Sequence, residues 1–301
     1  MKKNNSIKIC LAQTNPKVGD LKKNIENHIE IISGAKNKGA NLVVFPELSL
    51  TGYFLKDSVY DLGININADE AAILEPIYKA AKDLDISVIA GFVEKDADFN
   101  FYNSSCCISK GKLINVHRKV YLPTYGMFEE LRYFKPGDGF GVFDMDGVKV
   151  SVLTCEDAWH LSSSYIAVNK GAHIIIVNSA SPARGITAGL NKFNSMNMWE
   201  ELLSVIAFYY KSYVIYVNRV GFEDGIGFSG GSCILNPLGE VEKKLDYLEE
   251  EVVSADINLD LLNNERFKTP LIRDENLNLT LKEIEGIINK GTIKLKKNFR
   301  K

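Results

Sequence analysis

The chain has 301 residues, 46% of them hydrophobic and 25% charged, with a formal net charge of −2. This is the balance of a globular protein with a sizeable core, and it excludes a global basic field that would draw in nucleic acid or an anionic membrane. The five scattered cysteines form no disulfide framework, no Cys/His cluster has zinc spacing, and no apolar run suits a bilayer span or a secretion signal, so a cytoplasmic protein is expected.

Ile7 to Ala12 is a short apolar run and the first expected strand. Asn15, Pro16 and Gly19 break it, and Asp20 is placed to cap a helix. Leu21, Ile25, Ile29 and Ile32 recur at helical spacing up to about Lys38, and Gly39 is the stop. Asn41 to Phe45 follows as a buried strand, so strand, helix and strand make a crossover unit in a covered sheet. Glu47 comes next, at the strand's exit. Most loop glutamates are solvated, but this one lies between VVFP and LSLTGY. Burial there would favour its protonated form and suit it to proton transfer.

Ala71 to Leu84 reads as a second helix and Ile86 to Val93 as a strand. Phe101 to Ile108 and Lys112 to His117 read as paired strands joined at Lys110-Gly111. The loop-like stretch HRKVYLPTYGMFEELRYFKPGDG then carries Lys119, Tyr125 and Glu130. A basic loop residue is usually solvated. The aromatics Tyr121, Tyr125, Phe128, Tyr133 and Phe134 argue instead that this loop folds back over something.

Val148 to His160, VKVSVLTCEDAWH, reads as a buried strand running into Cys155. Open α/β sheets place their chemistry at such strand ends. Taken alone, the stretch fits a small buried hydrophobe as well as it fits a nucleophile. Ser162 to Lys170 is the next expected helix, His173 to Val177 a strand, residues 178–182 (NSASP) its polar exit, Asn191 to Lys211 a helix and Tyr213 to Val217 a strand. Gly221 to Gly231 lacks a phosphate-cradling pattern and reads as a turn within a meander. Cys233–Leu235, Gly239–Leu245 and Val252–Ile257 complete that meander. Residues 1–257 are expected to form one domain, and the polar segment 258–301 to pack on it or on a second subunit. So many alternating elements, with extra strand pairs, predict a two-sheet, helix-covered sandwich.

Three segments stand out together: FPELSLTGY around Glu47, HRKVYLPTYGMFEELRYFKPGD around Lys119, and LTCEDAWH around Cys155. They resemble the carbon–nitrogen hydrolase family, the nitrilase superfamily, over roughly Ile7 to Ile257. The resemblance implies an α/β fold, a four-layer α-β-β-α sandwich, and pairing into homodimers or larger homo-oligomers. It also implies a Glu47-Lys119-Cys155 triad. Cys155 would attack an amide or nitrile carbon, Glu47 would carry the proton, and Lys119 would face the oxyanion. Glu130 matches the family's second glutamate, with Glu129 the next choice.

Within the family the chain is most similar to the glutamine-hydrolysing domain of NAD synthetases. The resemblance implies that Tyr125, Glu156 and Ser181, beside Trp159, hold the amino-acid part of the substrate. Two departures are visible. The group's basic residue in the following helix falls at Thr187, where Arg184 or Lys192 would substitute, and Ile206 to Tyr210 lacks an R-A-x-E-N-like run. No ATP-binding motif is present, so a free-standing hydrolase or a glutaminase subunit feeding a synthetase chain is expected. The expected reaction is hydrolysis of a small primary amide, with nitriles second and no metal or organic cofactor. The rivals are a Cys-His hydrolase using His117 or His160, and an inactive interaction protein of the same fold.

Overall fold

Strands whose side chains alternate in direction build this molecule as two stacked sheets. In the computed structural model, residues 5–185 and 193–289 are described. The first half runs β1 (Ser6–Gln13), α1 (Leu21–Asn37), β2 (Leu42–Val44), α2 (Val59–Leu62), α3 (Glu75–Asp83), β3 (Ser87–Lys95), β4 (Phe101–Ser109) and β5 (Lys112–Arg118). The second runs α4 (Glu130–Tyr133), β6 (Phe143–Met145), β7 (Val148–Thr154), α5 (Glu156–Trp159), α6 (Leu161–Asn169), β8 (Ile174–Ser179), α7 (Asn194–Tyr210) and β9 (Tyr213–Asn218). Next come β10 (Val220–Glu223), β11 (Ile226–Ser229), β12 (Cys233–Leu235), β13 (Val241–Lys244), β14 (Glu251–Asn258), α8 (Leu259–Lys268) and α9 (Leu277–Asn289).

The sheet orders are β14-β1-β2-β3-β4-β5 and β13-β12-β9-β8-β7-β6. Each has a parallel centre, β1-β2-β3 in one and β7-β8-β9 in the other. Along β1, Ile7, Ile9 and Leu11 face the opposite sheet, where they meet residues such as Val150, Ile176 and Ile215. Cys10 and Ala12, one step out of phase, pack with Ile25 and Ile32 of α1. On the other sheet, Leu153, Val177 and Val214 pack with Leu203 and Ile206 of α7. The period of two along each strand therefore separates an inter-sheet core from two helix-covered faces. The result is the four-layer α-β-β-α sandwich.

Asp20 caps α1 as its position suggests, accepting the Lys23 N–H at 3.1 Å. Three elements differ from the sequence expectation. The second helix is a 3₁₀ stretch, Asp69–Leu74, before α3, because Pro76 at the start of α3 suits a helix's first turn and not its interior. Gly221 to Gly231 belongs to neither large sheet. Its strands β10 and β11 form a separate hairpin about Asp224 and Gly225, both at positive φ. The last strand does not complete the meander. β14 crosses to the first sheet and runs antiparallel beside β1, Ile7 opposite Ile257. It thereby covers an edge that would otherwise stand unpaired, and buries Ile257 between the sheets. Beyond it, α8 buries Leu262, and Arg266 donates to the Lys211 and Ala172 carbonyls at 2.8 and 2.6 Å. Among the described residues no helix is long and apolar enough to cross a membrane.

Candidate active site

Two strained turns at strand ends, one from each sheet, face each other at one end of the sandwich. Cys155 sits between β7 and α5 at φ 46°, ψ −101°. A side-chain-bearing residue holds such a conformation only when its surroundings enforce it. The Cys155 N–H donates to the Asn178 carbonyl at 2.9 Å, and Asp157 enforces the rest of the turn. The fully buried Asp157 carboxylate accepts the Thr154 N–H at 3.0 Å and His117 Nε2 at 2.7 Å. Its other oxygen accepts the Val120 and Tyr121 N–H groups at 3.0 and 2.9 Å. One carboxylate thus ties the Cys155 turn to the segment that carries Lys119.

Glu47 follows β2, and its neighbour Leu48 has φ 47°. Gly91 of β3 lies directly beneath, where a Cβ would come within 2.2 Å of the Leu48 nitrogen. Glycine is therefore required for β3 to approach this turn. Glu47 is 1% exposed. One of its oxygens accepts Lys119 Nζ and Asn103 Nδ2, both at 2.8 Å, and the other accepts the Ala180 N–H at 2.7 Å. Lys119 also donates to Glu130 Oε1 at 2.7 Å, and the Tyr53 hydroxyl donates to that same oxygen at 2.5 Å.

Two carboxylates thus share one ammonium in a dry setting. Burial works against the Lys119 charge, but the Glu130 and Glu47 carboxylates outweigh it and hold its pKa well above the ordinary lysine value. Burial, with Glu47 adding to it and Lys119 opposing, raises Glu130 to about 7. Burial and the nearby Glu47 charge push the Cys155 thiol up, against the pull of Lys119. These influences favour the neutral thiol at Cys155, so an attack by this sulfur would require its proton to leave. Burial first, and the Glu130 and Glu47 carboxylates next, keep the Tyr53 hydroxyl protonated, a permanent donor.

Cys155 opens into a cavity of about 460 Å³. Tyr125, Glu156, Trp159 and Ser181 all line it, together with Arg184 and Trp199. The half-exposed Tyr125 donates its hydroxyl to Glu156 Oε2 at 2.8 Å. Ser181 Oγ accepts Trp199 Nε1 at 2.7 Å, and Trp159 meets Trp199 edge to face. Glu129 points elsewhere, into a second cavity of about 260 Å³ that Glu130 and Phe128 also line. Thr187 and Lys192 lie outside the described residues. The two histidines near the motifs are engaged away from the thiol. His117 is held by Asp157, and His160 stacks on Tyr121 with ring centroids 3.5 Å apart. Among the described residues no three His, Cys, Asp or Glu side chains converge as a metal site.

The structure adds Tyr53, Asn103 and Asp157 to the residues expected from sequence. Tyr53 ends the LSLTGY segment and Asp157 follows Cys155 by two, so both lie within the motifs, but nothing in the sequence marks their roles. Asn103 lies inside a strand with no local signal at all. An acidic proton acceptor, a fixed ammonium and a thiol so arranged can attack a polarised carbon, hold an oxyanion and pass one proton out and back.

The family model for carbon–nitrogen hydrolases matches residues 8–266. The chain is 34% identical over 256 residues to a glutamine-dependent NAD(+) synthetase of Thermotoga maritima, covering 84% of this chain and 42% of that protein. It therefore spans less than half the length of that relative. It is 33% identical over 263 residues to a nitrilase of Pyrococcus abyssi, covering 86% of this chain and 93% of that one. A carbon–nitrogen hydrolase structure from Helicobacter pylori G27 superposes with a TM-score of 0.81 at 29% identity, over 91% of this chain and 97% of the other. With its two-sheet sandwich and these matches, the chain belongs to the carbon–nitrogen hydrolase family.

Proposed function

We propose that the chain hydrolyses the primary amide of a small polar substrate, glutamine or a related ω-amide, through a thioester on Cys155 with ammonia released first. One observation carries this reading: a single cavity runs from the thiol to the Tyr125–Glu156 pair and to Arg184. Glu156 suits an α-ammonium and Arg184 an α-carboxylate, while Trp159 and Trp199 suit the methylenes between them and the amide. Glu47 takes the thiol proton as Sγ attacks the amide carbon. Lys119 faces the oxyanion, and Glu130 with Tyr53 holds Lys119 there. Collapse of the tetrahedral adduct breaks the C–N bond, and Glu47 returns the proton to the departing ammonia. Glu47 then takes a proton from water as it attacks the thioester, and the carboxylic acid leaves with the thiol restored. Ammonia released here would be available to a synthetase on a partner chain, which fits the Thermotoga maritima relative's name.

The Pyrococcus abyssi relative, matched over nearly its whole length, favours nitrile hydrolysis as the second reading. An ammonia-release assay on glutamine, asparagine, ω-amides of keto acids and aliphatic nitriles decides between them. Turnover led by glutamine or an ω-amide supports the proposal, and turnover led by nitriles overturns it. No release from any of them favours an inactive interaction protein. Five free, buried cysteines fit a reducing, cytoplasmic setting. Exposed apolar residues on α6 and α7, Leu161, Val205, Phe208 and Tyr209, fit pairing with a second copy, which light scattering on the eluting protein would test.

A further inference from the structure

Three neighbouring parallel strands bring three side chains to one place. Val177 of β8 stands in register with Leu153 of β7 and with Tyr216 of β9. Two residues further on lie Ser179, the last residue of β8, and Cys155, immediately after β7. The period of two therefore sets Cys155, Ser179 and Tyr216 on the same face, the one covered by Trp199 of α7.

Ser179 is fully buried, and its Oγ donates to Cys155 Sγ at 3.3 Å. With Sγ accepting from Ser179, the thiol's own proton is free to go elsewhere. Behind them is Tyr216, 2% exposed and held by Trp199 at a ring separation of 4.8 Å. Its hydroxyl makes no hydrogen bond of full geometry among the described residues, but it lies within interaction reach of the Ser179 and Ser181 hydroxyls and close to Cys155. A buried hydroxyl held only by loose contacts to two serines is incompletely satisfied, and a stage that gives it a stronger acceptor explains its place here. Charge on the sulfur supplies that stage, because a donor hydroxyl is then held by charge-assisted bonding.

We propose that Ser179 is a catalytic residue whose hydroxyl stabilises the charge that develops on Cys155 Sγ, with Tyr216 behind it as a second donor. This rests on the reading of Cys155 as the nucleophile. When the S–C bond forms, the S–H bond breaks and its proton passes to Glu47. Ser179 and Tyr216 keep their protons throughout and act only as fixed dipoles. The other groups that bear on the sulfur are Glu47, Lys119 and Glu130, with Tyr53 and Tyr125 also close. Substitution at 179 or 216 leaves all of them in place.

The test is the rate of Cys155 alkylation by iodoacetamide across the neutral and alkaline range, mapped by mass spectrometry, so that no natural substrate is needed. Ser179→Ala is expected to slow alkylation about tenfold at neutral pH and to move the profile to higher pH. Tyr216→Phe is expected to act in the same direction to a smaller extent. Because it keeps the ring that packs on Trp199 and deletes only a hydroxyl without a full-geometry hydrogen bond, it should melt close to wild type, which keeps the test open if Ser179→Ala fails to fold. Wild-type profiles in both variants would overturn the proposal. If instead Cys155→Ala retained amide turnover, the nucleophile reading itself would fall, and this inference with it.

Discussion

Replacing Glu130 by glutamine changes the balance of charge around Lys119 while keeping an acceptor oxygen for both Lys119 and Tyr53. In the wild-type protein Glu130 rises from 4.5 to about 7 on folding, chiefly through burial. That rise corresponds to about 3 kcal/mol of stability at stake. The sign follows from the two states. Below pH 4.5 the carboxyl is neutral in both and nothing is lost. As pH climbs towards 7 the unfolded chain ionises first, so stability drains away, and above 7 the loss is complete. Glu130→Gln removes this pH dependence. It also places an amide N–H₂ where Oε2 has no partner, which costs on the order of 1–3 kcal/mol at every pH. The variant is therefore expected to be the less stable protein near pH 5, and to close or reverse that gap near pH 8. Urea unfolding at the two pH values measures it. The same substitution should abolish an acid limb near pH 7 in kcat/KM for amide hydrolysis. Stability curves that run parallel for the two proteins would refute the reasoning, because the ionisation of Glu130 would then not be coupled to folding.

Three further outcomes are expected. Lys119→Met should lower kcat about 10²–10³-fold in an ammonia-release assay, as loss of an oxyanion donor does. It should also cost about 3–5 kcal/mol in urea unfolding, because two buried carboxylates lose their shared cation. Asp157→Asn keeps only one acceptor oxygen for donors on two segments, so kcat should fall more than KM changes and the melting temperature should drop by several degrees. Arg184→Ala should raise KM for glutamine about tenfold and leave KM for a simple aliphatic amide unchanged, as loss of a contact to the carboxylate requires.

The parts of this molecule that were legible in the sequence are those whose cause is local. The helical spacing of Leu21 to Ile32, the cap at Asp20 and the strand preceding Cys155 all follow from neighbours a few residues away. Glu47 and Cys155 stand out as residues at expected strand ends, while the grouping of Lys119 with them is implied by the family resemblance of the three motifs and not by any local signal at Lys119. The structure brings Glu47 and Lys119 to 2.8 Å from sequence positions 72 apart. Tyr125, Glu156, Trp159 and Ser181 were placed by resemblance and line one cavity with the thiol. Partnerships between distant positions were not legible. Nothing local marks Asn103 as a donor to Glu47, or Asp157 as the tie between two segments. The departure of β14 for the first sheet was also hidden, because a short amphipathic strand fits the edge of either sheet equally well. Ser179 shows a related limit. In the sequence it is one residue of a polar strand exit, and its contact with Cys155 needs the register of β7 against β8.

The central claim is that an acyl group passes through Cys155. The most direct measurement is intact-protein mass spectrometry after brief exposure of wild type, Glu47→Gln and Cys155→Ala to glutamine. The account predicts an acyl adduct on Cys155, most readily trapped in Glu47→Gln if deacylation is slowed more than acylation, and none in Cys155→Ala. Ammonia release by Cys155→Ala at the wild-type rate, or an adduct mapping to Cys106 or Cys233, would contradict it.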